Sequence, residues 1–178
     1  PGREFQPKLT WKDVDRINSK LKIPLILKGI ATAEDAAIAI DHGVDMVYVS
    51  NHGGRQLDHD RGTLDMLPEI VQAVNGRAQI IVDGGINRGT DIVKAIAMGA
   101  HMVGLGRMQC YGLAADGVNG IVRMLELLEL EVKSCMGLLG VCSMSELTPD
   151  YLCRAADSSS SHALSAFPHL SLEPKAFY

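Results

Sequence analysis

The chain has 178 residues, enough for one domain or part of one, and its 47% apolar and 21% charged residues are ordinary for a folded globular chain. A net charge of −4 gives no basic footprint for nucleic acid, and 4% aromatic residues offer little surface for stacking bases. No apolar run reaches the length of a membrane-spanning helix, no zinc spacing links Cys110, Cys135, Cys142 and Cys153, and no secretory leader is visible. These exclusions lead to the expectation of a cytoplasmic protein with reduced thiols.

Residues 1–9 hold two prolines and no periodicity, and read as a lead-in. Thr10 is a candidate N-cap for a helix with Trp11, Val14, Ile17 and Leu21 at helical spacing, stopped by Pro24. Leu25-Ile26-Leu27 is a short apolar strand ending at Lys28-Gly29. Thr32 caps a second helix with Ala36, Ala37 and Ile40 on its apolar side, ended by Gly43. Met46-Val47-Tyr48-Val49 is the next strand, too short for a helix and rich in β-branched and aromatic residues. A third helix spans 63–74, with a kink or restart expected at Pro68. Ile80-Ile81-Val82 is a strand ending at Asp83-Gly84-Gly85, and a fourth helix runs from Thr90 to Met98. Met102-Val103-Gly104-Leu105 is a fourth strand, followed by a long helix from about Cys110 to Cys135, broken near Asp116-Gly117. The second half of that helix is apolar on several sides, which predicts burial against more than one neighbour. Glu146 to Pro149 reads as a small capping turn, and the Ser-rich, Pro-containing segment from Asp157 as a loosely ordered tail.

Strand and helix alternate strictly, the pattern of a parallel sheet with crossover helices. Residues 29–50 set against 85–106, an offset of 56, agree at eight positions, among them Asp35/Asp91, Gly43/Gly99 and Val47/Val103. That offset spans two strand-helix units and favours a (β/α)8 TIM barrel over a doubly wound sheet. Only four strands are present, and a full barrel takes about 250 residues. The expectation is therefore that 1–150 form the C-terminal half of a barrel and 151–178 a tail.

In a parallel barrel the C-terminal strand ends converge on one face, where active sites sit. Lys28, His52, Asp83 and Arg107 each lie at or just past such an end. The loop Ser50-Asn51-His52-Gly53-Gly54-Arg55-Gln56-Leu57-Asp58 places an imidazole that titrates near neutral pH three residues from a guanidinium that can grip a carboxylate. Such a pair suits proton or hydride removal from a small organic acid. Asp83-Gly84-Gly85 and Gly104-Leu105-Gly106-Arg107 close the last two strands, and each precedes a helix. Glycine amides and a helix N-terminus can cradle a phosphate there, with Arg88 and Arg107 adding charge.

These strings resemble the motifs of the FMN-dependent α-hydroxy acid oxidases and dehydrogenases, over about Leu9 to Pro149. The S-N-H-G-G-R-Q-L-D loop at 50–58 is the most specific of them. The pieces D-G-G-x-x-x-G-x-D at 83–91 and G-R at 106–107 are shared with other phosphate-binding barrels. The resemblance implies a bound FMN and oxidation of a small 2-hydroxy acid to the 2-oxo acid. It makes His52 the catalytic base, or the acceptor of the substrate's hydroxyl proton during hydride transfer to the flavin, Arg55 the carboxylate clamp, and Lys28 the charge beside flavin N1 and O2. Ser50 would touch the isoalloxazine edge, while Asp83, Gly84, Gly85, Gly106 and Arg107 would hold the ribityl chain and phosphate. Two positions depart: Asn87 stands where the family commonly has Arg near the phosphate, and Met108 where Pro is usual. Either Arg88 compensates for Asn87 or FMN binds less tightly.

In this reading the partners are the 2-hydroxy acid, the missing N-terminal half-barrel and further copies in a homo-oligomer, with neither nucleic acid nor a membrane segment. Two other readings remain open. One is a phosphate-binding barrel of the inosine monophosphate dehydrogenase type, which calls for a catalytic Cys loop. The other is a non-catalytic half-barrel that serves assembly or ligand binding, since an exposed sheet edge invites a partner.

Overall fold

The computed structural model describes residues 9–57 and 59–154; the predicted lead-in before Leu9, Asp58 and the predicted tail from 155 onward lie outside the described residues. Four strands, β1 (Ile26–Ile30), β2 (Met46–Val49), β3 (Gln79–Val82) and β4 (Met102–Val103), form one sheet in the order β1-β2-β3-β4. Every pairing is parallel. Between them lie α2 (Ala33–Asp41), α3 (Thr63–Val74) and α4 (Gly89–Ala97), while α1 (Trp11–Asn18) precedes β1 and α5 (Arg107–Leu139) follows β4. Sequence neighbours are thus sheet neighbours, each joined through a helix, as the repeated unit predicts.

The caps explain where the helices begin. Thr32 Oγ1 accepts from the Asp35 amide at 3.1 Å, and the Thr10 amide donates to Asp13 Oδ2 at 3.0 Å. Trp11 of α1 stacks on His42 at the end of α2, with ring centroids 5.4 Å apart, and Asp15 meets the same imidazole at 2.6 Å.

Strand alternation divides the sheet into two faces. Leu27, Val47, Val49, Ile80 and Val82 pack with Ala36 of α2 and with Met66, Leu67, Ile70 and Val74 of α3 in the main core. Each large side chain buried there contributes roughly 1.5–3 kcal/mol, so this face outweighs local propensity. The opposite face carries Lys28, Tyr48, Ile81 and Met102, which lie in register as one row across all four strands.

Four expectations are corrected. β1 does not end at Lys28-Gly29 but runs on to Ile30, because the register shifts between Lys28 and Ile30 and the extra residue, Gly29, takes φ +98°, a left-handed conformation that favours glycine. Pro68 neither restarts nor splits α3, which runs unbroken from Thr63 to Val74; only one backbone N–H is missing, and the buried face through Leu67, Ile70 and Val74 holds the helix together. β4 is limited to Met102–Val103, although the Gly104 amide still donates to the Val82 carbonyl. α5 starts three residues earlier than expected, at Arg107, and continues to Leu139.

The predicted break in α5 is present: Asp116 (φ −158°, ψ 45°) and Gly117 (φ 51°, ψ −131°) leave helical geometry. The short segment ahead of the break is therefore distinct from the longer outer helix and packs back on it, a Gly112 Cβ falling 2.9 Å from the Gly120 oxygen. That outer segment buries one stripe, Met124, Leu128 and Val132, rather than several sides. Val118, Val122, Leu125 and Leu130 are exposed, so the apolar faces that should meet further neighbours have none among the described residues.

α4 and α5 meet through Val93, Ala97 and Val132, joined by Val141 and Leu147. The approach is closest at Gly89, where a Cβ would stand 2.5 Å from Glu131 Cβ and 2.6 Å from the Val132 nitrogen. Helix backbone cannot step aside as a side-chain end can. Gly89→Ala should therefore destabilise the chain by ~2–3 kcal/mol, the upper part of the overpacking range, read as a lowered urea midpoint. An unchanged midpoint would show that α4 and α5 can part at this point without cost.

Candidate functional site

Lys28 is the centre of the site. Its Nζ donates to Ser50 Oγ at 2.8 Å, pairs with Asp83 Oδ2 at 3.1 Å and lies 5.0 Å from the centroid of the Tyr48 ring. One ammonium thus ties together the ends of β1, β2 and β3. Ser50 is buried, and its Oγ also accepts from the His52 amide at 3.2 Å, so both of its lone pairs are engaged. Asp83 Oδ1 is buried without a hydrogen-bond partner among the described residues. Thr63, the buried first residue of α3, donates through Oγ1 to the Asp83 carbonyl and so fixes the backbone from which the carboxylate projects.

The loop after β2 turns through a short 3-10 helix, His52–Gly54. Asn51 holds it, since its Oδ1 accepts from the Gly53 amide at 3.0 Å and its Nδ2 donates to the Arg61 carbonyl at 3.0 Å. His52 itself has φ +55°, uncommon for a residue with a side chain and a sign that its surroundings impose the conformation. Its ring reaches over the β1 bulge: a Cβ on Gly29 would lie 3.1 Å from His52 Cε1. From the end of β4, the Arg107 guanidinium comes to the same turn, with Nη2 3.6 Å from where a Gly53 Cβ would be. His52, Arg55 and Arg107 are exposed.

The structure therefore brings Lys28, Ser50, His52, Asp83 and Arg107 to one end of the sheet, and sets Arg55 on the same turn as His52. The two Gly-containing loops behave differently from each other. At the start of α4, the Asn87 and Arg88 amides donate to Asp91 Oδ2 at 3.1 and 3.0 Å, and the Gly89 amide donates to Glu131 Oε2 at 2.7 Å. Asn87 Nδ2 turns back to the Gly85 carbonyl at 3.3 Å. The Arg88 guanidinium bonds Glu131 Oε1 at 2.8 Å, across on α5. At the start of α5, by contrast, no carboxylate of the described residues reaches the amides of Gly106 or Arg107. Of these two helix starts, only that of the short segment before the Asp116–Gly117 break has amides that no described carboxylate occupies, and a short extra helix is the usual phosphate seat of a βα barrel.

Sequence reasoning missed Tyr48, Thr63 and Glu131. Tyr48 passed as one more strand residue. Yet its hydroxyl crosses the sheet to Gly104, where a Cβ would fall 1.9 Å from Tyr48 Oη and 3.1 Å from Asp83 Cβ. The offset of 56 contains that signal, for it sets Tyr48 against Gly104, a large residue against the smallest. Burial first, and the neighbouring Asp83 carboxylate second, push the Tyr48 hydroxyl above its ordinary pKa. Among the described residues no cluster of three or more His, Cys, Asp or Glu side chains is placed to hold a metal, and no helix is long and apolar enough to cross a membrane.

Polar groups gathered at the C-terminal ends of parallel strands, beside a helix start whose amides no described carboxylate reaches, define an α/β protein with its candidate site at that edge of the sheet. The chain belongs to the FMN-dependent dehydrogenase family, whose model matches residues 2–154. It is 45% identical over 151 residues to an L-lactate oxidase of Nostoc sp., covering 85% of this chain and 41% of that protein. It is 44% identical over 142 residues to 2-hydroxyacid oxidase 2 of Mus musculus, covering 80% and 40%. Among solved structures, mandelate oxidase matches with a TM-score of 0.77 at 45% identity, over 79% of this chain and 43% of that one. The chain thus spans about two fifths of the length of these relatives. Family membership carries FMN as the family's cofactor.

The raised Tyr48 pKa sets a sign. The folded chain holds this proton more tightly than the unfolded chain, so its contribution to stability is complete below about pH 10 and is lost as pH rises from there through the folded-state value. Absorbance titration at high pH should show one late tyrosine, absent from Tyr48→Phe. Asp83→Asn should recover only part of the delay, because burial, the first cause, remains. A complete return to ordinary titration would make the carboxylate the main cause.

Proposed function

We propose that this chain is the C-terminal half of a (β/α)8 barrel that binds FMN and, joined to an N-terminal half, oxidises a small 2-hydroxy acid to the 2-oxo acid. The observation that carries the reading is the convergence of Lys28, Ser50, His52 and Asp83 at adjacent strand ends. The half-barrel reading is supported by the apolar surface that the chain leaves open, Ile23 and Ile26 at the β1 side and Val118, Leu125 and Leu130 on α5. The share of each relative's length that the chain covers supports it as well.

The residues present fit FMN. Asp83 Oδ1, buried and unpartnered, suits a ribityl hydroxyl as donor. Gly85 and Gly106 have no atom within 4 Å of where a Cβ would stand, so a phosphate can approach their backbone. Bound there, FMN supplies a two-electron acceptor next to the substrate. Lys28 would lie beside the electron-rich edge of the ring, its charge favouring the anionic form.

The chain's own residues divide the rest of the work. Arg55 clamps the substrate carboxylate and fixes which face of the carbon is presented. His52 takes the hydroxyl proton as the carbonyl forms. The strained backbone at His52 and the two bonds from Asn51 hold the imidazole to one side of the turn. Ser50 couples this turn to Lys28, so base and flavin-facing charge move as one unit.

The test is flavin binding followed by reduction. The chain should quench flavin fluorescence, and by itself should show no turnover with lactate, glycolate or mandelate. Joined to the N-terminal half of a relative such as the Nostoc L-lactate oxidase, it should bleach bound flavin on adding substrate. In that assembly His52→Asn should slow bleaching by about 10²–10⁴-fold with the flavin retained. Substantial bleaching by the chain alone would contradict the half-barrel reading, and failure to take up flavin in either form would favour a non-catalytic module.

A further inference from the structure

The amino end of α4 lies beside the Gly-rich loop after β3, yet it is closed to an incoming anion. Three successive amides, those of Asn87, Arg88 and Gly89, are taken by the carboxylates of Asp91 and Glu131. Glu131 does two things at once. Its Oε2 accepts from Gly89 at 2.7 Å, and its Oε1 holds Arg88 Nε at 2.8 Å. It comes from α5, 43 residues after Arg88, and it is held in reach by the Gly89 contact, where a Cβ would fall 2.5 Å from Glu131 Cβ. A groove of about 480 Å³ runs from this pair to the start of α5, with Arg88 and Glu131 lining one part and Asn87 and Met108 another. Arg88 therefore borders the same groove as Met108, the residue that follows Arg107.

We propose that Glu131 is a positioning residue that sets the charge of the phosphate subsite. By holding Arg88 and occupying the Gly89 amide, it leaves a phosphate monoester to the amides of Gly106 and Arg107 and to the Arg107 guanidinium. The inference deepens the FMN reading and rests on it for the identity of the monoester. A single guanidinium makes the phosphate grip weak, and Glu131 keeps a second one in reserve.

The experiment uses the full chain and inorganic phosphate, followed by amide chemical shifts. Phosphate should shift Gly106 and Arg107 in the wild type and leave Gly89 in place. Glu131→Gln keeps an oxygen for the Gly89 amide but weakens the hold on Arg88. It should tighten phosphate about tenfold, the scale of one added charged hydrogen bond, and bring Arg88 Nε into the set of shifted signals. In Glu131→Gln/Arg88→Ala the gain should vanish. FMN should follow the same changes and riboflavin should not, a difference that a purely structural role for Glu131 would not produce. Three results would overturn the inference: no phosphate shift at Gly106 and Arg107, no gain in Glu131→Gln, or a gain that survives loss of Arg88. If neither flavin binds any form, the FMN reading of the isolated chain fails, while the phosphate titration still decides the role of Glu131.

Discussion

The site depends on one ammonium group. Lys28 Nζ reaches Ser50 on the second strand's end and Asp83 on the third's, and each contact constrains something further along the chain. Ser50 fixes the amide of His52. Asp83 is fixed from behind by Thr63, which starts α3. The pair is only partly buried, with Lys28 40% and Asp83 16% exposed at their side chains, so its Coulombic worth is modest. Its value lies in geometry, because three strand ends share a single donor. The bulge at Gly29 belongs to the same constraint, since it inserts a residue just past Lys28 and leaves space for the His52 ring.

Local charge follows from this arrangement. The chain as a whole is acidic, at −4. Around the strand ends, however, Lys28 and Asp83 pair with each other, while Arg55, Arg107 and the His52 imidazole are exposed. A mouth of that sign concentrates small anions even on an acidic protein. In the proposed function both molecules that must enter carry negative charge, one as a carboxylate and one as a phosphate. The α4 amides add nothing to this field, because Asp91 and Glu131 already neutralise them. In the proposed function the same elements would therefore both attract these anions and limit how strongly they are held.

Much of this was legible in the sequence, for physical reasons that differ by residue. Lys28, His52, Asp83 and Arg107 could be placed because buried parallel strands read as short apolar runs, and polar residues directly after them fall on one edge. The repeat between 29–50 and 85–106 gave the spacing of the units. Thr63 and Glu131 could not be placed in this way. Their importance comes from partners 20 and 42 residues away, and nothing local marks a threonine at a helix start or a glutamate on a long helix as different from its neighbours. Arg88 was placed by adjacency, which says where the backbone is but not where a long side chain goes. The extension of β1 was hidden by its own bulge, since a glycine inside a strand looks like an ending.

On the proposed half-barrel reading, the division of residues between this chain and an N-terminal half has a consequence for selectivity. The row Lys28, Tyr48, Ile81 and Met102 forms a floor beneath the strand ends, and Tyr48 fills that floor because Gly104 leaves it space. Arg55 and His52 stand above it, exposed. In the proposed reaction these two meet the carboxylate and hydroxyl that all 2-hydroxy acids share, and neither meets the side chain by which such acids differ. Discrimination by a hydrophobic pocket comes from methylene-scale contacts with a wall, and on the half-barrel reading the open apolar surfaces of β1 and α5 would be where such a wall attaches. In the proposed function, the chemistry common to 2-hydroxy acids is therefore carried by this segment. On the same reading, choice among them falls to residues of the N-terminal half that would close over His52 and Arg55.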